Sequence, residues 1–139
     1  MLRDLTSNLI GNLIVVPGIV TSASRTNLRA TQVTWRCSNC GHERTDPIKF
    51  GFGGAKAPRE CAMSKTPGAD RQRCPLDPYK IAAEKCKFLD QQTLKLQEAP
   101  ELIPTGEMPR HFVCTVDREL TDLVTPGNRV KIVGILGII

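Results

Sequence analysis

The sequence predicts an all-β fold: a small barrel of five strands, interrupted by an inserted lobe that has almost no apolar core of its own. Three observations predict it. Alternating apolar and polar stretches, the mark of half-buried strands, recur toward both ends of the chain. Between them, residues 38–86 break the pattern with repeated Gly and Pro. A length of 139 residues fits one compact domain plus an insertion.

The elements follow in order. LIVVPGIVTSAS (13–24) is apolar and then polar, and Pro17 and Gly18 inside it predict a bent or edge strand. Arg25, Thr26 and Asn27 read as a turn. ATQVTWRC (30–37) sets Val33, Trp35 and Cys37 against Gln32, Thr34 and Arg36, a half-buried strand. KFLDQQTLKLQE (87–98) resumes the pattern, with Thr93 and Lys95 on one side and Leu94 and Leu96 on the other. APELIPTGEMPR (99–110) holds three prolines and a glycine and is a loop. HFVCTVD (111–117) alternates, RELTDLV (118–124) reads as a short helix or turn, TPGN (125–128) as a turn, and RVKIVGILGII (129–139) as the last strand. Five strands with one short helix suit an OB-type barrel. The expected organisation is 1–36 for the first part of the barrel, 37–86 for the lobe and 87–139 for the second part.

Four of six cysteines lie in the stretch 37–74. Cys37-x2-Cys40, followed by Gly41, is a zinc-knuckle half-site: two thiolates three residues apart turn onto one tetrahedral ion. Cys61 and Cys74 are separated by 12 residues, an irregular second half. The fourth ligand is Cys74 or Cys86. Cys74 opens the turn CPLDPY and is preferred, whereas Cys86 sits in EKCKF, where a strand begins. His42 is too close to Cys40 for an unstrained partner. Cys114, inside an alternating strand, reads as a small core residue. No secretion signal is evident, so a reducing compartment is the default and metal is favoured over disulfides. Zinc on Cys37, Cys40, Cys61 and Cys74 would replace the core that this lobe lacks.

The net charge of +5 is uneven: +3 over residues 1–36, +3 over 37–86 and −1 over 87–139. A basic first half suits a polyanion, although a solvated surface reads the same way. Arg25, Arg29, Lys95 and Arg110 group near barrel turns and are the candidate phosphate contacts. With only six aromatics, binding would rest on charge more than on stacking.

Other chemistries fit poorly. No run of about 18 apolar residues predicts a membrane span. GFGG (51–54) lacks the Gly-Lys-Ser/Thr of a phosphate loop and reads as a hairpin tip, with Phe50 and Phe52 beside it. His42-Glu43 follows the only C-x-x-C, unlike a zinc deaminase, and four thiolates leave no open position for catalysis.

The succession LTSNLIGNLIVVPGIV, CSNC, CPLDPY, FLDQQTLKLQE, GEMPRH and PGNRVKIVGI resembles the N-terminal region of the minichromosome maintenance (MCM) replicative helicases, over essentially the whole chain. The wording of CPLDPY and GEMPRH is similar to the subunit-five branch of the eukaryotic hexamer. The resemblance implies an OB-fold with an inserted zinc lobe, in a six-subunit ring that encircles DNA in the nucleus. It implies zinc lobes that meet head to head when two rings assemble. It places the fourth ligand at Cys74, and it implies that Arg25, Arg29, Lys95 and Arg110 contact single-stranded DNA. The helical lobe expected before LTSN, the hairpin expected after GILGII and the ATPase module with its Walker motifs are not found in the sequence. The expectation is therefore a non-catalytic piece of a larger subunit. The competing expectations are a zinc-stapled OB module of a transcription or RNA-processing factor, and a purely architectural assembly domain.

Overall fold

The computed structural model describes residues 2–49, 54–65 and 74–138. Among these residues the chain forms seven strands and several short 3-10 turns, and no α-helix. The strands are β1 (Leu13–Ala23), β2 (Asn27–Cys37), β3 (Glu43–Pro47), β4 (Tyr79–Ile81), β5 (Lys87–Gln97), β6 (His111–Asp117) and β7 (Arg129–Ile135). β1, β2, β5, β6 and β7 are the five expected barrel strands. β3 and β4 lie in the stretch expected to be an irregular lobe. They escaped the sequence reading because three to five residues are too few to show a period. The segment after β6 is a 3-10 turn, Arg118–Leu120, and Asn27, expected in a turn, opens β2.

The chain divides into two compact units, Met1–Leu28 with Asp90–Ile139, and Arg29–Leu89. In the first unit β5 pairs antiparallel with β6 and with β1, and β1 pairs antiparallel with β7. Val20 stands opposite Leu96 and Ala23 opposite Leu94, so the buried side chains meet on one face. Val20, Leu94 and Leu96 are fully buried and Val16 nearly so. Each such side chain contributes about 1.5–3 kcal/mol on leaving water.

The bent-strand expectation for Pro17 has a physical outcome. β1 pairs with β7 over residues 13–19 and with β5 over 19–23, so at Pro17 it has only the β7 partner. A proline without an N–H is tolerated there. The bend follows at once, as a break in register between Val20 and Ser22. Gly18 is required for another reason: a Cβ there would come within 3.0 Å of the Gln97 carbonyl oxygen.

The second unit pairs β2 with β3 and with β4. Its core is Val33, Trp35, Cys37, Cys61 and Tyr79, with Ala30, Ile48, Cys74 and Cys86 packed against it. Most of the carbon in this core comes from β2 and β4; among the described residues between 38 and 73, Cys61 and Ile48 join it. Thr34, expected on the open side of β2, is buried. Its hydroxyl lies 2.9 Å from that of Thr45 and donates to the Lys85 carbonyl at 3.2 Å, which satisfies it inside. Phe50, Phe52 and all of GFGG except Gly54 lie outside the described residues.

Candidate metal centre

Four sulfurs converge at one end of β2. Cys37 is its last residue, and the chain then turns through Asn39 and Cys40 to Gly41, whose φ of +74° suits glycine. The turn is closed by Gly41 N–H donating to Cys37 C=O at 3.0 Å, and by Cys37 N–H donating to His42 C=O at 2.8 Å. Cys61 precedes the 3-10 turn Ala62–Lys65, and Cys74 precedes β4. The sulfurs of Cys37, Cys40, Cys61 and Cys74 all lie within 4.8 Å of one another.

Distances test whether this set suits a metal. A tetrahedral zinc with Zn–S near 2.3 Å spaces its sulfurs by about 3.8 Å. Cys37 and Cys74 are 3.8 Å apart and Cys40 and Cys61 3.5 Å, so four cysteines stand where they could hold one ion. Cys86 is outside the set. Its sulfur lies 3.5 Å from the Thr34 N–H and 3.3 Å from the Ala82 carbonyl, as a small packed side chain. Cys114 is half-buried on β6, and burial pushes its thiol above the ordinary range.

The electrostatics explain why the cluster wants a cation. Burial pushes the Cys37 thiol up, but the backbone amides of Cys40 and Asn39 and the thiols of Cys40 and Cys74 outweigh it and bring it down to about 7. The His42 amide pulls Cys40 down, yet burial and the sulfurs of Cys37, Cys61 and Cys74 push it up to about 12. Ionising one thiol of the cluster therefore opposes ionising the next. A divalent ion held by the four sulfurs would relieve that opposition.

The groups around the sulfurs were not legible as such. The Tyr79 hydroxyl donates to Cys61 Sγ at 3.8 Å, accepts from the Ala62 N–H at 3.3 Å and lies 3.3 Å from His42 Nδ1. Asn39 Nδ2 donates to Cys74 Sγ at 3.4 Å. His42 thus touches Tyr79, whose hydroxyl bonds the Cys61 sulfur. Tyr79 had a signal in the wording CPLDPY, but its role needed the fold.

The four basic candidates lie apart from the sulfurs. Lys95 is exposed on β5, opposite Ser22 of β1 and Val113 of β6. Arg110 is exposed just before β6, and its carbonyl accepts from the Glu98 N–H. Arg25 is exposed in the turn after β1. That turn is held by Gln92, whose amide donates to Ser24 C=O at 2.9 Å and to Asp122 Oδ1 at 3.3 Å, and by Thr26, whose hydroxyl donates to Asp122 Oδ2 at 3.0 Å. The structure therefore places Arg25, Lys95 and Arg110 along β5 and its two neighbours in one unit. Arg29 is half-buried in the other unit. Gln92 and Asp122, which fix the Arg25 turn, carry no spacing signal in the sequence.

Comparison with known proteins adds the family. The family described as the MCM OB domain matches residues 1–139. The chain is 45% identical over 138 residues to the DNA replication licensing factor mcm-5 of Caenorhabditis elegans. It is 42% identical over 137 residues to mcm5 of Dictyostelium discoideum, and 43% over 138 to mcm5-B of Xenopus laevis. Each match covers 99% of this chain but 18% of the relative, so the chain spans less than a fifth of the relatives it matches. Matched along its whole length, all-β, and bearing a four-cysteine cluster, the chain belongs to the MCM OB-domain family.

Proposed function

We propose that the chain is a non-catalytic, DNA-facing part of a nuclear replicative helicase subunit. In this reading zinc on Cys37, Cys40, Cys61 and Cys74 staples the Arg29–Leu89 unit. Arg25, Arg29, Lys95 and Arg110 contact the phosphates of single-stranded DNA in a hetero-hexameric ring, and the zinc unit meets an opposing ring. The names of the relatives, DNA replication licensing factors, support the replication context.

The observation that carries the DNA reading is the exposed face of β5 and β6. Opposite pairs Thr93–Thr115, Lys95–Val113 and Gln97–His111 share it, while Leu94, Leu96, Phe112 and Cys114 occupy the other face. Lys95 is central on that face, with Arg25 and Arg110 exposed toward its two ends. Phosphate contacts of this kind give salt-sensitive, weakly sequence-specific binding.

A second observation favours an assembly role beside it. Leu13 faces Ile135 and Val15 faces Val133 across β1 and β7, and all four are more than half exposed. A contiguous apolar patch on a sheet marks a surface that another protein covers, and a neighbouring ring subunit is the occupant this reading assigns.

The test combines metal content with titrations of oligothymidylate and its RNA counterpart at two salt concentrations. The reading requires one zinc per chain and salt-dependent binding that favours DNA. Preference for RNA points to the RNA-processing alternative. Zinc without any strand binding leaves only assembly.

A further inference from the structure

We propose that Gln92 and Glu98 are positioning residues, two buried latches that hold the loops of Arg25 and Arg110 on either side of Lys95 so that all three cations meet the phosphates of single-stranded DNA together. The proposal rests on the DNA reading above and says what builds that site. Gln92, Leu94, Leu96 and Glu98 form a buried row along β5 and the residue after it, at 4%, 0%, 0% and 1% exposure. Among the described residues, the two polar ends of this row are the only buried polar side chains of the first unit. A buried amide or carboxylate destabilises unless it is bonded, and apolar replacement of buried ionic groups is often neutral or better. Packing alone therefore does not account for them; the loops they bind do.

Each latch closes on one loop. Gln92 Nε2 donates to Ser24 C=O at 2.9 Å and to Asp122 Oδ1 at 3.3 Å, while its Oε1 accepts from the Asp122 N–H at 3.0 Å. Asp122 has a φ of +58°, which Asp and Asn tolerate better than most, and it also accepts from the Thr26 hydroxyl at 3.0 Å. Both neighbours of Arg25 are thus tied down, and Arg25 itself is exposed. At the other end Glu98 accepts from Arg3 Nε at 3.0 and 3.1 Å, and the same guanidinium donates to Glu107 and, at 3.3 Å, to Met108 C=O. The Glu98 N–H donates to Arg110 C=O at 3.0 Å, and Pro109 fixes φ between Met108 and the exposed Arg110. Gln92 and Glu98 stand three residues before and three after Lys95, about 10 Å each way along an extended strand.

The acids in these latches separate positioning from simple attraction. Asp122 is held between Thr26 and Gln92, and Glu107 lies three residues before Arg110. As charges near a polyanion, both acids weaken binding. As tethers they strengthen it, because a loop ordered beforehand loses less freedom when the strand arrives. Here the tethering outweighs the charge.

Asp122→Ala and Glu107→Ala, made in the full chain and titrated with oligothymidylate at several salt concentrations, give charge and position opposite signs. Each removes a negative charge, which by itself tightens binding to a polyanion. Each also frees a loop, which is expected to weaken binding by about three- to tenfold and to make the salt slope shallower by about 0.7, one contact's worth. Asp122→Asn and Glu107→Gln keep an acceptor oxygen for Gln92 and for Arg3, and are expected to rescue binding. Asp122→Ala is expected to add nothing to Arg25→Ala, and Glu107→Ala nothing to Arg110→Ala. Amide protection over 94–97 is expected to be unchanged in all of them; its loss would make the latches props of the fold and overturn the proposal. Alanine variants that bind as tightly as the parent or tighter, or losses that add fully to those of the arginine variants, overturn the positioning role and leave the DNA reading standing. A parent without salt-dependent binding, or Arg25→Ala and Arg110→Ala that both match it, overturns the DNA reading and the proposal with it.

Discussion

Arg3 reaches Glu98 across 95 residues of sequence, its Nε 3.0 and 3.1 Å from the two carboxylate oxygens of a side chain that is 1% exposed. The same guanidinium donates to Glu107 and, at 3.3 Å, to the Met108 carbonyl. One arginine thus ties the N-terminal turn to the end of β5 and to the Pro-rich loop. A buried ion pair contributes little net stability, but removing one partner leaves a charge stranded inside. Arg3→Ala is expected to destabilise the first unit by about 3–5 kcal/mol, and Glu98→Gln by less, since the amide strands no charge. Urea unfolding of both variants checks this; equal losses would show that the cost comes from losing the ion pair and not from a carboxylate stranded inside.

The cysteines make a sharper prediction. Cys74→Ser is expected to abolish stoichiometric zinc and unfold the cluster, because Cys74 supplies one of the four converging sulfurs. Cys86→Ser is expected to keep the metal and lose only local packing against Thr34 and Ala82. Metal content after gel filtration decides between them. Zinc retained by Cys74→Ser and lost by Cys86→Ser reverses the assignment.

Chelation is expected to act on one unit. Val20, Leu94 and Leu96 form a core in the first unit without any of the four clustered cysteines, whereas Cys37 and Cys61 are part of the core of the second. Removing metal should erase amide protection over 43–47 and 79–81 and leave residues 94–97 and 111–117 protected. Simultaneous loss in both would mean that the two fold as one.

A pH effect is expected at Glu101. Arg129 hydrogen-bonds its carboxylate and holds it below the ordinary range, its own amide adding to this. A depressed carboxyl stabilises the folded state above its unfolded pKa, and that contribution is lost as pH falls through the folded value. Both side chains are well exposed, so the effect on stability is small. Side-chain NMR titration should show Glu101 rising toward the ordinary carboxylate range in Arg129→Gln. An unmoved titration would show that the pair does not persist in solution.

How much of this was legible followed from range. Alternation in 92–97 and 111–116 reported burial because each side chain's face is fixed by its neighbours, whereas Phe88, on the face of Leu94 and Leu96, is exposed. The Cys37-x2-Cys40 spacing is local and announced a metal half-site. Between Cys40 and Cys61 or Cys74, 20 and 33 residues intervene; the CPLDPY turn favoured Cys74 over Cys86, but the convergence of the four sulfurs shows only in the fold. Contacts such as Arg3–Glu98, Gln92–Asp122 and Tyr79–Cys61 depend on tertiary placement and leave no period in the chain. Thr34 was misread because a hydroxyl looks polar in sequence, while Thr45 and the Lys85 carbonyl satisfy it inside.

The central claim is that this family member meets single-stranded DNA through the exposed basic groups along β5. Arg25 and Lys95 are both exposed and belong to the same unit, so their joint replacement by alanine perturbs charge more than fold. The most direct measurement is the affinity for oligothymidylate at several salt concentrations, in the parent and in Arg25→Ala with Lys95→Ala. The parent is expected to bind on the order of micromolar or weaker, with a log–log slope of about −0.7 per phosphate contact. The double variant is expected to bind more weakly, its slope shallower by about 1.4 for two lost contacts. Identical affinity and slope in parent and variant would contradict the account and make these side chains ordinary solvated surface.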